Sequence, residues 1–307
     1  MIIAAQTNAK IEEYLRKDQG ASFRGHLEKL VPLAADAYST NEEPFRKHLG
    51  ASLIGKDCIR DIWYSWHWAR EIRFEGRMIR LFNRGHLEEA RFIALLLMIG
   101  CTIYQFDKEG KQFRISGFGG HYGGGLDGVV VGLPEYPNEP GLTEFKTHGE
   151  KSFNDVVKQG VKEAKPQHFH QMQQYMGFHK LRFGLYMAVN KNTDEIHSEI
   201  VLFDAIYYQQ YFERAGKIVE AKVPPPKISN NPKFFKCTFC DFKPVCQGKD
   251  APAKNCRTCH HSVASLEGTK GDWLCTNPLL GIHLLTFEKQ LKGCDNYEVN
   301  PHFKDPL

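Results

Sequence analysis

The sequence lacks a long hydrophobic run. Its most apolar stretch, residues 91–101, is too short to cross a lipid bilayer and predicts a buried helix instead. The first residues carry no basic leader, long apolar segment or cleavage pattern, so no secretion signal is expected. We therefore expect a cytoplasmic protein without a membrane partner, in a compartment where disulfide bonds are rare.

Net charge is also low. The 307 residues contain 40 Lys and Arg against 36 Asp and Glu, which gives a formal charge of +4. A protein of this kind that binds nucleic acid would concentrate its positive charge locally. Residues 70–84, 151–165 and 233–257 are candidate basic patches, although each could equally be an ordinary solvated surface.

A nucleotide-binding P-loop is absent. The glycine-rich segment 117–125 is not followed by Gly-Lys-Ser/Thr, and we interpret it as a turn that delivers Asp127 to the next strand. What the sequence does contain is a hydrophobic fraction of 42% and an aromatic fraction of 12%, which suit a globular fold with a real core.

Two acids and a lysine fall on two predicted neighbouring strands. Asp127 begins an apolar strand, and Glu144 and Lys146 lie on the next one. Because side chains alternate along a strand, Glu144 and Lys146 should share one face while Phe145 points into the core. Two carboxylates, joined by the Phe145 carbonyl oxygen, could hold a hard divalent cation that stabilises charge on a phosphate.

Two helices carry further candidates. A helix predicted over 166–178 places Gln171 and Tyr175 one turn apart on one face. A helical region predicted over 77–99 places His86 and Glu89 on a common face in the same way. On spacing alone, either pair could be an ordinary solvated helix edge.

Five residues, taken in order, carry a resemblance to a known family: Asp127, Glu144, Lys146, Gln171 and Tyr175. They resemble the motifs of the PD-(D/E)xK nuclease superfamily, in particular its RecB-like branch. Residues 84–89 resemble the upstream helical motif of that branch, which assigns the metal-facing positions to His86 and Glu89. Leu126 stands where the superfamily name has proline. The resemblance implies an α/β fold with a restriction-endonuclease-like core, a mixed sheet flanked by helices.

The same resemblance implies a chemistry. Asp127 and Glu144 would hold Mg²⁺ or Mn²⁺ with help from His86 or Glu89, and Lys146 would assist the attacking water or neutralise transition-state charge. Gln171 and Tyr175 would position the DNA strand. The expected activity is a metal-dependent deoxyribonuclease, more an exonuclease than an endonuclease. A structure-specific endonuclease and a non-catalytic nucleic-acid-binding protein remain as alternatives.

Nine cysteines in a reducing compartment call for a metal explanation. Cys237, Cys240 and Cys246 lie within one short segment, and Cys58 is the natural fourth ligand. Spacing alone leaves zinc and an iron–sulfur cluster open. Cys-x2-Cys-x5-Cys after the core, with one cysteine upstream, resembles the iron–sulfur RecB-type nucleases. This implies a structural [4Fe–4S] cluster that joins the two ends of the nuclease domain.

A second cysteine set follows: Cys256, Cys259, Cys275 and Cys294. Its order suits a small zinc-ribbon-like module, in which His260 or His261 could replace Cys294. The Cys-x-x-Cys-His pattern of haem attachment also fits, but an export signal is lacking. Cys101 is left over as a buried hydrophobic residue.

The predicted domain organisation has three consecutive parts. Residues 1–50 form a helical arm, residues 51–248 the nuclease domain closed by the iron–sulfur site, and residues 249–307 the cysteine-rich metal-binding module. The pattern is similar to exonucleases of tailed bacteriophages, which implies work in phage DNA recombination or host DNA breakdown in the host cytoplasm. The partners implied are linear or single-stranded DNA ends, and recombination or single-strand-binding proteins. The sequence leaves the oligomeric state open.

Overall fold

A computed structural model describes residues 1–30, 45–248 and 250–303. The chain forms two compact units. The first unit comprises Met1–Glu42, Phe74–Ile115 and Gly125–Gln209, and the second comprises the three remaining segments, Glu43–Arg73, Ser116–Gly124 and Gln210–Leu307. The chain therefore passes between the units repeatedly, and their boundaries do not coincide with the consecutive domains predicted at residues 50 and 248.

The helices are, in chain order, α1 (Ala5–Asp18), α2 (Ala21–Leu30), α3 (Ile59–Trp66), α4 (Gly76–Met98), α5 (Glu150–Gln159), α6 (Val161–Ala164), α7 (Pro166–His179), α8 (Ala205–Glu220), α9 (Phe235–Thr238), α10 (Lys243–Cys246) and α11 (Phe287–Lys292). The strands are β1 (Ile2–Ile3), β2 (Leu49–Gly50), β3 (Thr102–Tyr104), β4 (Arg114–Gly117), β5 (Tyr122–Gly125), β6 (Gly128–Val131), β7 (Gly141–His148), β8 (Phe183–Asn190), β9 (Ile196–Leu202), β10 (Ser262–Ala264), β11 (Trp273–Cys275) and β12 (His283–Leu285).

The first unit is built on a six-stranded mixed sheet in the order β1-β9-β8-β7-β6-β3. The central strands β7 and β8 are parallel, and every other neighbouring pair is antiparallel. Parallel neighbours need a long crossover connection, which the chain supplies as α5, α6 and α7. The predicted mixed sheet flanked by helices is confirmed.

The two faces of the sheet pack against different helices. On one face Phe145 of β7 stacks on Phe92 of α4, with ring centroids 5.1 Å apart, inside a core that also contains Met187 and Ile11. On the other face a Cβ at Gly184 would come within 2.7 Å of the Met172 side chain, so the glycine allows α7 to lie close to β8. The alternation predicted for β7 therefore directs its even-numbered side chains toward α7.

Several boundaries differ from the sequence prediction. The apolar strand that Asp127 was predicted to begin is β6, Gly128–Val131, and Asp127 lies just before it. Gly160, whose φ of 81° suits glycine, separates α5 from α6. The expected N-terminal arm contributes to the core sheet, since β1 pairs with β9 and Ile11 of α1 is buried. Residues 1–30 of the predicted arm therefore belong to the first unit, whereas residues 45–50 belong to the second and residues 31–44 lie outside the described part of the chain.

The second unit contains the small antiparallel sheet β10-β11-β12 and the sheet β2-β5-β4. The tryptophans Trp63, Trp66 and Trp68 are buried in this unit. The Arg257 guanidinium lies 3.7 Å from the ring centroid of Trp68. The three prolines Pro224–Pro226 are held within this unit, because Arg60 Nε donates to the Pro225 carbonyl at 2.5 Å. No helix among the described residues combines the length and apolarity that crossing a membrane requires.

Candidate active site

Asp127, Glu144 and Lys146 meet where β6 begins beside β7. The Phe145 amide donates to Asp127 Oδ2 at 2.9 Å, which fixes the first acid against the strand that carries the second. Lys146 Nζ forms an ion pair with Glu144 Oε1 and donates to the Phe145 carbonyl at 3.2 Å. Two carboxylates, one main-chain carbonyl and one ammonium group therefore share a single small volume.

Burial dominates the electrostatics of this group. The Glu144 side chain is fully buried, and this burial raises the pKa of its carboxyl to about 7. The Lys146 ammonium opposes the shift, and Asp127 adds to it. Burial would lower the pKa of Lys146, but the carboxylates of Glu144, Asp127 and Glu89 outweigh burial and raise it. A cationic lysine is therefore the form that these surroundings stabilise.

Helix α7 brings the predicted Gln171 and Tyr175 to the same place. Gln171 Nε2 lies 3.3 Å from Glu144 Oε2 and 3.4 Å from Tyr175 Oη. Both side chains are buried. Pro166 stands in the first turn of α7, where its missing N–H costs nothing. Gln171 is thus placed to orient the Glu144 carboxylate.

His86 and Glu89 line a groove beside β7. The groove is also lined by Lys146, Phe145 and Lys191, and Glu89 contributes to the raised pKa of Lys146. Gly85 leaves open space on the α4 side of this groove, because a Cβ at that position would meet no atom within 4 Å. The structure therefore brings the upstream helical pair to the lysine of the site, and the groove leads to it.

A buried hydrogen-bonded cluster that sequence reasoning missed lies next to Glu144. Tyr186, which pairs with Glu144 across β7 and β8, has its Oη 2.8 Å from His148 Nε2 and 3.0 Å from His168 Nδ1. Ser152 Oγ lies 3.0 Å from His148 Nδ1. The signal was available in part, since His148 continues the alternation of Glu144 and Lys146 along β7.

The two histidines of this cluster are held neutral. The pKa of His148 is lowered to about 4, first by burial and then by the nearby charges of Lys165, Lys146 and Lys191. Burial likewise lowers the pKa of His168 to about 3, with Lys146 among the contributing cations. Because both imidazoles are neutral, the positive charge of this region is carried by its lysines.

The donors of this site match a hard divalent cation in kind. Asp127, Glu144 and the Phe145 carbonyl supply oxygen ligands, the type that Mg²⁺ and Mn²⁺ prefer. In residues 1–30, 45–248 and 250–303 no group of three or more His, Cys, Asp or Glu is arranged to hold a metal ion. The candidate site at β6 and β7 has fewer side-chain ligands than such a group: two carboxylates, to which the Phe145 carbonyl adds a main-chain oxygen.

The first predicted cysteine set shares one cavity of the second unit. Cys58, Cys237, Cys240 and Cys246 all line it. The pKa of Cys240 is raised to about 12, first by burial and then by Asp61 and Cys58. Cys240 Sγ donates to Asp61 Oδ2 at 3.3 Å. All four are free thiols, and a metal would have to displace their protons.

The second set also converges. Cys256, Cys259, Cys275 and Cys294 line a single cavity, together with His261. The pKa of Cys256 is raised to about 12, first by burial and then by the other three cysteines. The soft donors of both sets suit zinc or an iron–sulfur cluster in kind. The structure brings each set together without forming a closed ligand cage.

The three predicted basic patches differ in the structure. Arg84 and Lys191 lie together beside the groove, where Arg84 Nη2 donates to the Lys191 carbonyl at 3.3 Å. Lys162 Nζ lies 4.4 Å from the centroid of the Tyr207 ring. Arg257 does not belong to a surface patch: it is buried and donates to the Trp66 carbonyl at 3.0 Å. The first patch adjoins the groove through Arg84, and the second lies near the histidine cluster, where Lys165 lowers the pKa of His148.

No protein-family model matches the chain, and no curated protein matches it at a significant level. Solved structures that align with it include SSO0001, at 15% identity and a TM-score of 0.39, covering 76% of this chain and 100% of that one. An alkaline exonuclease from Laribacter hongkongensis (LHK-Exo) aligns at 12% identity and a TM-score of 0.41, covering 56% of this chain and 86% of that one. Its complex with dAMP gives a TM-score of 0.40 with the same identity and coverage. These TM-scores are too low to establish a shared fold.

Proposed function

We propose that this chain is a divalent-metal-dependent nuclease that hydrolyses phosphodiester bonds in DNA and acts as an exonuclease on linear ends. The observation that carries the proposal is the meeting of Asp127, Glu144, the Phe145 carbonyl and Lys146 at β6 and β7. Two acids and a fixed cation around one point match the charge requirements of phosphodiester hydrolysis. The groove beside Lys146 offers a path for the strand.

Each residue then has a role. Asp127, Glu144 and the Phe145 carbonyl would hold Mg²⁺ or Mn²⁺, with His86 and Glu89 beside them. When bound, such an ion stabilises charge on the phosphate and lowers the pKa of water. Lys146, anchored by Glu144 and the Phe145 carbonyl, presents a fixed positive charge to the phosphate oxygens.

Helix α7 supports this arrangement. Gln171 donates toward Glu144 Oε2 and so holds the plane of that carboxylate. Tyr175 in turn contacts Gln171 and limits its rotamers. These two residues position the acid, and through it the DNA strand. Preorganisation of this kind lowers the cost of reaching the transition state, because little reorientation remains to be done.

The cysteine sets serve structure in this proposal. Cys58, Cys237, Cys240 and Cys246 would hold a [4Fe–4S] cluster, and Cys256, Cys259, Cys275 and Cys294 would hold zinc. The support is that each set lines one cavity, although Cys58 in the first set and Cys275 and Cys294 in the second are distant in sequence from the other members. The biological setting that fits an end-dependent nuclease of this type is phage DNA recombination or breakdown, with recombination or single-strand-binding proteins as partners.

The decisive experiment uses end-labelled linear DNA with Mg²⁺ or Mn²⁺. Wild-type protein should degrade it, while Glu144→Gln and Lys146→Met should each lose at least about 100-fold in rate, as for other preorganised charged groups. Arg182→Gln is a matched control, because its ion pair with Glu139 is an exposed one. Intact DNA with all four proteins would reject the nuclease proposal in favour of binding without catalysis.

A second substrate distinguishes an exonuclease from an endonuclease. A closed circular duplex should survive while its linear form is degraded, since an exonuclease requires an end. Cleavage of both at similar rates would replace the exonuclease assignment with an endonuclease. Labels at the 5′ or the 3′ end of the linear form then give the polarity.

A further inference from the structure

Two half-exposed phenylalanines lie close together, Phe74 just before α4 and Phe82 within it. Phe82 is 41% exposed and Phe74 is 50% exposed, and their ring centroids are 5.0 Å apart at an interplanar angle of 86°. Phe74 thus supports Phe82 edge-on, which is a favoured geometry for an aromatic pair. Large aromatic rings left accessible in this way are available to an aromatic ligand.

Phe82 belongs to the wall of the groove described above. It lies four residues before His86 and seven before Glu89, so the three side chains share one face of α4. The opposite wall contains Lys146 and Lys191. A flat ring stacked on Phe82 would therefore lie in the groove that leads to the Lys146 ammonium.

The same groove collects positive charge. Arg84 contacts the main chain of Lys191, and the pKa of Lys191 is lowered by burial and then by Arg84 and Arg77. Of the acids in the groove, Glu88 pairs with Arg91 at 3.2 Å, and Glu89 acts on Lys146. Cations that crowd one another are stabilised by a bound polyanion.

We propose that the groove binds single-stranded DNA, with one unpaired base stacked on Phe82 and the adjoining phosphates bound by Arg84 and Lys191. Stacking on an aromatic side chain beside cations is a general means of holding a single strand. Bases inside a duplex are already stacked, so a duplex would have to fray to use this surface. The inference rests on the proposed nuclease function, because it names the form of substrate that the site receives.

The test measures binding without cleavage. Glu144→Gln protein in EDTA is titrated against fluorescein-labelled oligo(dT) and a labelled duplex of the same length, with fluorescence anisotropy as the readout. Adding Phe82→Ala should weaken binding of the single strand about tenfold, the range expected for one lost stacking contact. Duplex binding should change less than twofold. Phe82→Trp should preserve binding of the single strand.

Ile79→Ala is the matched control, because Ile79 is 48% exposed on the same helix but is not among the residues that line the groove. Lys191→Gln should weaken the binding of both the single strand and the duplex, and it should reduce the slope of log affinity against log salt by about one. The proposal is overturned if Phe82→Ala acts no more strongly than Ile79→Ala, or if it weakens both ligands equally. Binding without any cleavage by wild-type protein would instead reject the nuclease activity and leave the strand site standing.

Discussion

Phe145 links Asp127 and Lys146 of the candidate site through its main chain. Its amide donates to Asp127 Oδ2 at 2.9 Å, while its carbonyl accepts from Lys146 Nζ at 3.2 Å. The side chain of the same residue is stacked on Phe92 in the core. The position of both polar groups is therefore fixed by a buried hydrophobic contact on the other face of the sheet.

This relationship separates the charge of Asp127 from its structural role. Asp127→Asn keeps an oxygen that can accept from the Phe145 amide but removes the negative charge. We expect it to unfold at nearly the wild-type temperature and to lose at least about 100-fold in nuclease rate, more than second-sphere changes usually cost. Asp127→Ala should also lose about 1–3 kcal/mol of stability, because it leaves that amide unsatisfied.

Thermal unfolding and initial rates on linear DNA check both variants. Equal destabilisation by Asp127→Asn and Asp127→Ala would show that the negative charge of Asp127 itself stabilises the fold. An active Asp127→Asn protein would remove Asp127 from the proposed metal ligands.

Gly85 tests the groove as the path of the strand. Gly85→Ala should stabilise the protein by about 0.5–1 kcal/mol, because glycine inside a helix is costly and the added methyl group meets no other atom. Gly85→Leu should fold as well but fill the groove next to Phe82 and His86, so that the nuclease rate falls about tenfold or more. Urea unfolding with initial rates distinguishes the two effects. A fully active Gly85→Leu protein would place the substrate elsewhere.

The burial of His67 predicts that the protein loses stability in acid. Its ring is stacked on Trp63 at 3.6 Å, and burial, with Arg257 and His121, lowers its pKa from about 6.5 to about 3. The folded state thus binds its proton less readily than the unfolded chain does. Stability is therefore complete above the unfolded pKa and falls as the pH drops from about 6.5 toward 3.

At pH 5 this single histidine should cost about 2 kcal/mol relative to pH 7. His67→Gln keeps a donor for the Trp63 carbonyl, which His67 Nδ1 contacts at 3.0 Å, but does not titrate. Urea unfolding at pH 7 and pH 5 should show a smaller difference for the variant. Parallel losses in both proteins would assign the acid sensitivity to other groups.

The thiol sets predict two different metals. Protein purified without oxygen should contain about four iron atoms per chain, the content of one cubane cluster. Cys240→Ser should lose the iron, while Cys256→Ser should lose zinc and retain iron. Cys101→Ser is the control, because Cys101 belongs to neither set and its Sγ donates to the Gly132 carbonyl at 3.4 Å. A folded protein free of iron under these conditions would reject the cluster.

The sequence predicts the β7 pattern well, because alternation alone places Glu144 and Lys146 opposite Phe145. It also predicts α7 to within one residue, since Pro166 marks its start. It could not predict that Tyr186 lies beside Glu144, because this depends on the register of two parallel strands joined through three helices. Nor could it separate the buried tryptophans from the exposed Phe82, since tertiary packing decides which aromatic residues remain accessible.

The cluster around Tyr186 has a consequence for its hydrogen atoms. A neutral imidazole carries one N–H, and a hydroxyl donates only once. The chain Ser152–His148–Tyr186–His168 can therefore run with every donor pointing one way or every donor pointing the other. Reversing the direction of donation changes the tautomers of His148 and His168 together, while the net charge stays constant. This row of hydrogen bonds beside Glu144 therefore has two opposite orientations of its dipole.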